Sequence, residues 1–483
     1  MLSFVSEKIK PLSFWGFGLA SVVSLLASLY FKNYGVMLLP AVLVFAFIAL
    51  NDIKPIFYLL LATLPLSTEA TLGSFGIDLP SEPLMVLLMF MYILQALLHP
   101  KILEGKFFTH PIIILLLLHY SWIFFTAINS YNVIISIKFF LAKTWYIITF
   151  LLLTPVIINS VERMKYFFWL IFIPLTLASI QAIVRYSFLG FDFEFVNETM
   201  PPFFRNHVSY GAMLTSFFPF VFLARSWYKS GSFLRYALNL SVVFYLVAIY
   251  LSYTRMCYIA LVVATVAYVV IKLKLMRWAL AAAILIVGIV LTHFISDNNY
   301  LRLSPEFEKT ITHNDFEDLL EATVSMEDAS SMERLYRWVA AFHMYNESPL
   351  MGHGPGNFYP YYKKYTVSEF TTYLSDNEEQ STVHNYFLLL LVEQGIIGVM
   401  IFILFAVVLF VYGEQLYHRC KNIQHRNIIL ACLLSLVTAF VNLMFNDMIE
   451  ADKTGSLFFI SIGLLVAFGI KENNTAKANT VQP

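Results

Sequence analysis

The sequence predicts an all-α, polytopic integral membrane protein with about 12–14 transmembrane helices and one large external, partly helical loop. Two observations carry this: 59% of the 483 residues are hydrophobic against 13% charged, and apolar runs recur along nearly the whole chain. The runs lie near residues 12–31, 34–51, 54–70, 83–98, 111–128, 140–158, 165–188, 208–225, 235–252, 255–272, 276–295, 384–412, 427–446 and 454–470. Several have only about 16–18 residues, the lower limit for crossing a bilayer, so the third or fourth is also open to a re-entrant reading. The first follows Lys8 and Lys10 as a signal peptide would, but another apolar run comes soon after and no small-residue cleavage site separates them. An uncleaved first span is expected.

Lysine and arginine set the orientation, because basic loops stay cytoplasmic. With the N-terminus inside, Lys54, Lys101, Lys106, Arg163, Lys165, Arg225, Lys229, Arg235, Lys272, Lys274, Arg277, Arg419, Lys421 and Arg426 all fall on the cytoplasmic face. The opposite loops are neutral or acidic: residues 69–82 carry Glu69, Asp78 and Glu82, and residues 447–453 carry Asp447, Glu450 and Asp452 against Lys453.

This divides the chain into N-terminal spans (1–190), central spans (191–296), an external loop (297–382), C-terminal spans (383–470) and a cytoplasmic tail (471–483) that reads as disordered. Within the loop, Ser330 followed by Glu333 reads as a capping box. Leu335, Trp338, Val339 and Phe342 then recur at i, i+3, i+4 and i+7, predicting about four helical turns with one apolar face flanked by Arg334 and Arg337. The segment "ESPLMGHGPGNF" ends that helix, while "NDFEDLLEATVSMED" reads as solvated.

The zero net charge gives no basic surface for nucleic acid. Cys257, Cys420 and Cys432 have no CxxC spacing and suggest neither a disulfide framework nor a zinc site. Three external positions stand out: Arg205 before the eighth span, Arg255 at the turn between the ninth and tenth, and His384 at the mouth of the twelfth. An interfacial charge is a functional candidate. Each has a plain alternative, since either arginine could snorkel to lipid phosphate and His384 could cap a helix. "GHGPG" lacks a preceding strand and a following GKS or GKT, so a tight turn competes with a phosphate cradle. Asp192 and Glu194 form a D-x-E that reads first as solvated loop and second as a cation site. Glu393, nine residues beyond His384, is half a turn out of phase and is not paired with it.

The turn "SYTR", the segment "MERLYRWVAAFHMYNESPLMGHGPGNF" and the entrance "HNYFLLLLVEQGIIG" occur in this order, with a large external loop before the last spans. Together they resemble the O-antigen ligase and O-antigen polymerase superfamily, the Wzy_C-domain membrane proteins, over roughly residues 205–400. Arg255, the Arg334–Trp338 pair, the glycine-rich turn and His384–Asn385 match that pattern; Arg205 matches loosely. The resemblance implies a glycosyltransferase C-type membrane fold in the bacterial inner membrane, among membrane lipids, with its active site facing the periplasm. It implies inverting transfer of a glycan from undecaprenyl diphosphate to an acceptor hydroxyl, lipid A–core for a ligase or another lipid-linked glycan for a polymerase. His384 is then the expected base. Arg205 and Arg255 are expected to bind the diphosphate, with Arg334, Arg337 and Asn385 assisting; no metal and no cofactor is expected. A flippase or ion-coupled transporter is the third reading, weakened by the lack of a repeated half.

Overall fold

The computed structural model describes residues 10–31, 47, 51–72, 75–99, 105–296, 329–367 and 381–481. Most of the expected second span, the acidic segment 314–328, Lys101 and the Ser330 side chain lie outside the described residues.

Among the described residues the chain is all-α apart from one hairpin. The helices are α1 (Lys10–Phe31), α2 (Ile53–Thr63), α3 (Ser81–Leu98), α4 (Pro111–Ile128), α5 (Val133–Ile157), α6 (Val161–Ser187), α7 (His207–Ala224) and α8 (Phe233–Tyr250). They continue with α9 (Arg255–Lys272), α10 (Met276–Ile295), α11 (Ala329–Glu347), α12 (Tyr386–Arg419), α13 (Ile423–Leu443) and α14 (Asp452–Val481). Ten of the described helices are long and apolar enough to cross a membrane, and three shorter apolar helices accompany them. Caps fix the ends: Asn132, Ser160, Asn206, Asn385 and Asn422 each accept a backbone N–H from the first turn of the helix that follows.

Helices α13 and α14 form the centre. Some 78% and 83% of their spanning windows are buried, against 22% for α8 on the periphery. Helices α7 and α9 both pack on α13, and α4 packs on α12.

Three expectations need correction. The sixth span begins at Val133, seven residues before the predicted 140, and includes Lys138 and Lys143. Lys143 is tolerated because Glu450 meets it at 2.6 Å. The acidic loop 69–82 holds an antiparallel hairpin, Thr68–Leu72 with Phe75–Leu79, in which Glu69 faces Asp78. Burial and nearby Asp452 push the Asp78 carboxyl up to about 7. Lastly, the described part of the tail is helical: α14 runs on to Val481, tied by Glu472 to His425 (2.7 Å) and by Asn474 to Lys106 (2.7 Å).

The loop contacts sort to two ends, as the charge pattern predicts. At the basic end Lys471 donates to the Asn159 carbonyl, His418 meets the Ile271 carbonyl and Asn427 donates to Ser226. At the acidic end Asp452 accepts from Ser81 (2.6 Å) and Ser67 (3.3 Å), and Tyr131 packs on His353. The described part of the 297–382 segment lies at this acidic end, with the 203–207, 252–255 and 444–453 turns.

Candidate functional site

Residues 381–386 form a strap at the acidic end, and nearly every residue of it is fastened. Thr382 Oγ1 donates to Asp447 (2.9 Å), and its carbonyl accepts from Arg337 (3.3 Å). The Val383 carbonyl accepts from Trp338 Nε1 (3.1 Å). Asn385 caps α12 through Leu388 N (3.0 Å) and donates to the Met444 carbonyl (2.9 Å). Tyr386 donates to Glu450 (3.1 Å), the partner of Lys143. Between these ties His384 adopts φ +54°, a left-handed conformation that costs a non-glycine residue roughly 1–3 kcal/mol.

The His384 ring is half-buried and lies beside the Asn446 side chain. Burial, then the positive charges of Arg337 and Arg334, push its pKa down to about 3. The imidazole is therefore neutral near pH 7 and has a lone pair to offer. The two arginines differ. Arg337 is buried on α11 and bound to Glu333 (3.3 Å) and the strap, whereas Arg334 is half-buried. Helix α11 is itself longer than expected, 19 residues or about five turns, with Leu335 and Val339 buried on its packed face.

Arg205 and Arg255 reach the same end on neighbouring turns. The exposed Arg205 precedes the α7 capping box of Asn206 and Ser209. Its segment is fastened by the buried Lys453, which donates to the carbonyls of Ser67 (2.9 Å) and Phe203 and lies 4.6 Å from the Phe204 ring centre. Arg185 also holds the Pro201 carbonyl. Half-buried Arg255 opens α9, after Tyr253 at φ +49°. The Thr254 hydroxyl binds the carbonyls of His207 (3.2 Å) and Ser252 (3.1 Å), locking this turn to the start of α7. Gly211 permits that approach, since a Cβ there would lie 2.8 Å from Cys257 Sγ and 2.9 Å from Ser252 Oγ.

These ties link the three predicted segments around one turn: 203–207 through Lys453, 252–255 through His207, and 382–386 through Met444, Asp447 and Glu450. The turn 444–453 was read from the sequence only as an acidic outer loop. Its positioning role was missed, although Lys143, a lysine inside an apolar run, was a usable signal for a buried partner.

The glycine-rich segment does another job. Gly395 has φ +67° and breaks α12, which would strand the carbonyls before it. His353 N donates to Val392 O (2.8 Å), Gly354 N to Glu393 O (2.9 Å) and Trp122 Nε1 to Gln394 O (2.9 Å), while Ile396 N turns to Pro349 O (2.9 Å). Glu393 accepts from Phe358 N (3.1 Å). The loop N–H groups of His353 and Gly354 are thus bonded to α12, which favours the tight turn over the phosphate cradle. Asp192 and Glu194 are exposed, with Asp192 accepting from Glu194 N (3.3 Å) as a local cap.

Among known families, the Wzy_C model, described as O-Antigen ligase, matches residues 240–403. That stretch, about a third of the chain, runs from within α8 into α12 and includes Arg255, α11, the glycine-rich loop and His384, but not Arg205. The resemblance read from the sequence motifs is borne out there. No curated protein matches the chain.

Proposed function

We propose that this protein is a membrane glycosyltransferase of the O-antigen ligase type, moving a glycan from undecaprenyl diphosphate to an acceptor hydroxyl, lipid A–core, at the periplasmic face of the inner membrane. The observation that carries the reading is His384: a neutral imidazole in a strained backbone, held on both sides, at the end where the Arg205 and Arg255 turns meet. Strain sustained by surrounding bonds is characteristic of functional positions.

In the proposed reaction His384 takes the acceptor hydroxyl proton as the oxygen attacks the anomeric carbon. The C–O bond to the diphosphate breaks on the opposite face, inverting the centre. Arg255, at the N-terminus of α9, and Arg205 neutralise the charge growing on the leaving diphosphate; a helix N-terminus and a guanidinium both favour an anion. Arg334 assists from α11, and Arg337 and Asn385 position the strap. A base works best with a pKa near the working pH, and about 3 is low for that. A bound diphosphate, bringing negative charge beside the arginines, raises it.

The polymerase reading uses the same donor and the same residues, with a second lipid-linked glycan as acceptor. A gel of lipopolysaccharide from a deletion strain separates the two. Bare core with accumulated lipid-linked polymer is the ligase outcome, core bearing one repeat unit is the polymerase outcome, and an unchanged ladder would defeat both.

A further inference from the structure

At the basic end, far from the strap, Cys420, His425 and Glu472 bring one ligand atom each to within 4.8 Å of one another. They come from three elements: Cys420 is the C-cap of α12, His425 sits in the first turn of α13, and Glu472 lies where α14 passes beyond its apolar stretch. His425 Nδ1 is 2.7 Å from Glu472 Oε1, and Cys420 Sγ lies within 4.8 Å of the ligand atoms of both. Cys420 and His425 are buried and Glu472 half-buried.

We propose that this cluster is a binding site for a thiophilic divalent cation, zinc by preference, which clasps the inner ends of α12, α13 and α14. One thiolate, one imidazole and one carboxylate suit zinc, whereas magnesium and calcium favour oxygen ligands. Ligand atoms about a tetrahedral zinc stand roughly 3.3–3.6 Å apart. The His–Glu pair therefore opens by less than about 1 Å and the thiol swings inward. Binding displaces the thiol proton to solvent, so thiolate and carboxylate together balance the charge of the ion. Three protein ligands leave the fourth position to water.

The supporting frame is already built. Asn422 accepts from Gln424 N (2.9 Å) and His425 N (3.2 Å), and its carbonyl lies 3.4 Å from Cys420 Sγ, fixing the turn that carries two of the ligands. A reactive cysteine is the competing role, and the burial of Cys420 opposes it, since a reactive thiol needs access to solvent. The site is independent of the glycosyl transfer proposed above.

The probe is cobalt(II), added to the purified full-length protein in detergent after chelation. The expected result is one cobalt per chain, a thiolate-to-cobalt charge-transfer band with tetrahedral d–d absorption, and its loss on adding zinc. Cys432→Ser should keep the band, while Cys420→Ser and His425→Ala should lose it and show no rise in Tm with zinc. Folded wild-type protein that gives no such band overturns the proposal, as does a band surviving in Cys420→Ser. Because the wild-type spectrum alone decides the first point, a variant that fails to fold leaves the test intact.

Discussion

Two segments close on α12 from outside, and they do it in opposite ways. The 349–358 loop meets the helix at its break, with every left-handed turn placed on glycine: Gly352, Gly354 and Gly356 have φ +70°, +94° and +77°. The 381–386 strap meets the helix at its start, with the left-handed position given to histidine. Glycine accepts such angles without steric penalty, so the loop is relaxed; histidine does not, so the strap is held by its neighbours. In sequence the loop looks the more chemical of the two. The comparison teaches that conformational cost, and what surrounding bonds sustain it, is a better guide to chemistry here than motif conspicuousness.

The comparison breaks first at His384. His384→Gln keeps a hydrogen-bonding side chain but takes no proton, so transfer should fall about 10²–10⁴-fold while binding of the lipid-linked donor persists. Wild-type turnover in that variant would make the strap as structural as the loop. His384→Gly should be equally inactive yet melt no earlier than wild type, because glycine relieves the backbone.

The loop side predicts loss of protein rather than loss of chemistry. In Gly395→Ala the new Cβ would fall on the Leu350 carbonyl at a positive φ. The variant should accumulate poorly, and whatever folds should turn over normally per molecule; a well-folded, inactive Gly395→Ala would instead place the break in the reaction. Lys143→Met should cost about 3–5 kcal/mol by leaving Glu450 unpaired, with much of that recovered in the Lys143→Met/Glu450→Met double variant. Thermal midpoints of the set measure this.

Arg255→Lys keeps charge but loses the guanidinium fork, and should lower transfer roughly 10–100-fold. Activity unchanged by that swap would return Arg255 to lipid snorkelling. The smallest effect is in pH dependence. A base whose pKa is depressed to about 3 stays in its active neutral form well below the ordinary histidine value of 6.5 and is lost only as pH falls further. The rate kcat/KM should therefore stay flat from pH 7 to about 5, whereas kcat, reporting the donor complex, should begin its acidic fall at a higher pH than kcat/KM does. Coincident acidic limbs near 6.5 would sink the electrostatic account of His384.

Much of the architecture was legible because spans and basic loops obey rules local in sequence. The helix from 111 to 128 and the turn at Arg255 coincide with their apolar runs to the residue. What stayed hidden depends on distant pairing. Lys143 lies inside the predicted sixth span, but its partner, Glu450, is some 300 residues away in the chain and no local rule pairs them. The glycine-rich loop left two roles open, because no local rule says that its N–H groups meet carbonyls stranded at Gly395. Cys420 and His425 are five apart and visible together, but Glu472 joins them only through the packing of α14 on α13.

The break in α12 also imposes an order of assembly. Until residues 349–358 close on it, the carbonyls of Val392 and Glu393 have no backbone partner, and bare carbonyls in hydrocarbon cost several kcal/mol each. The clamp precedes α12 in the chain and lies at the far end from the basic loops. That loop must therefore be in place before the helix can settle, so that completion of the last three spans waits on its packing.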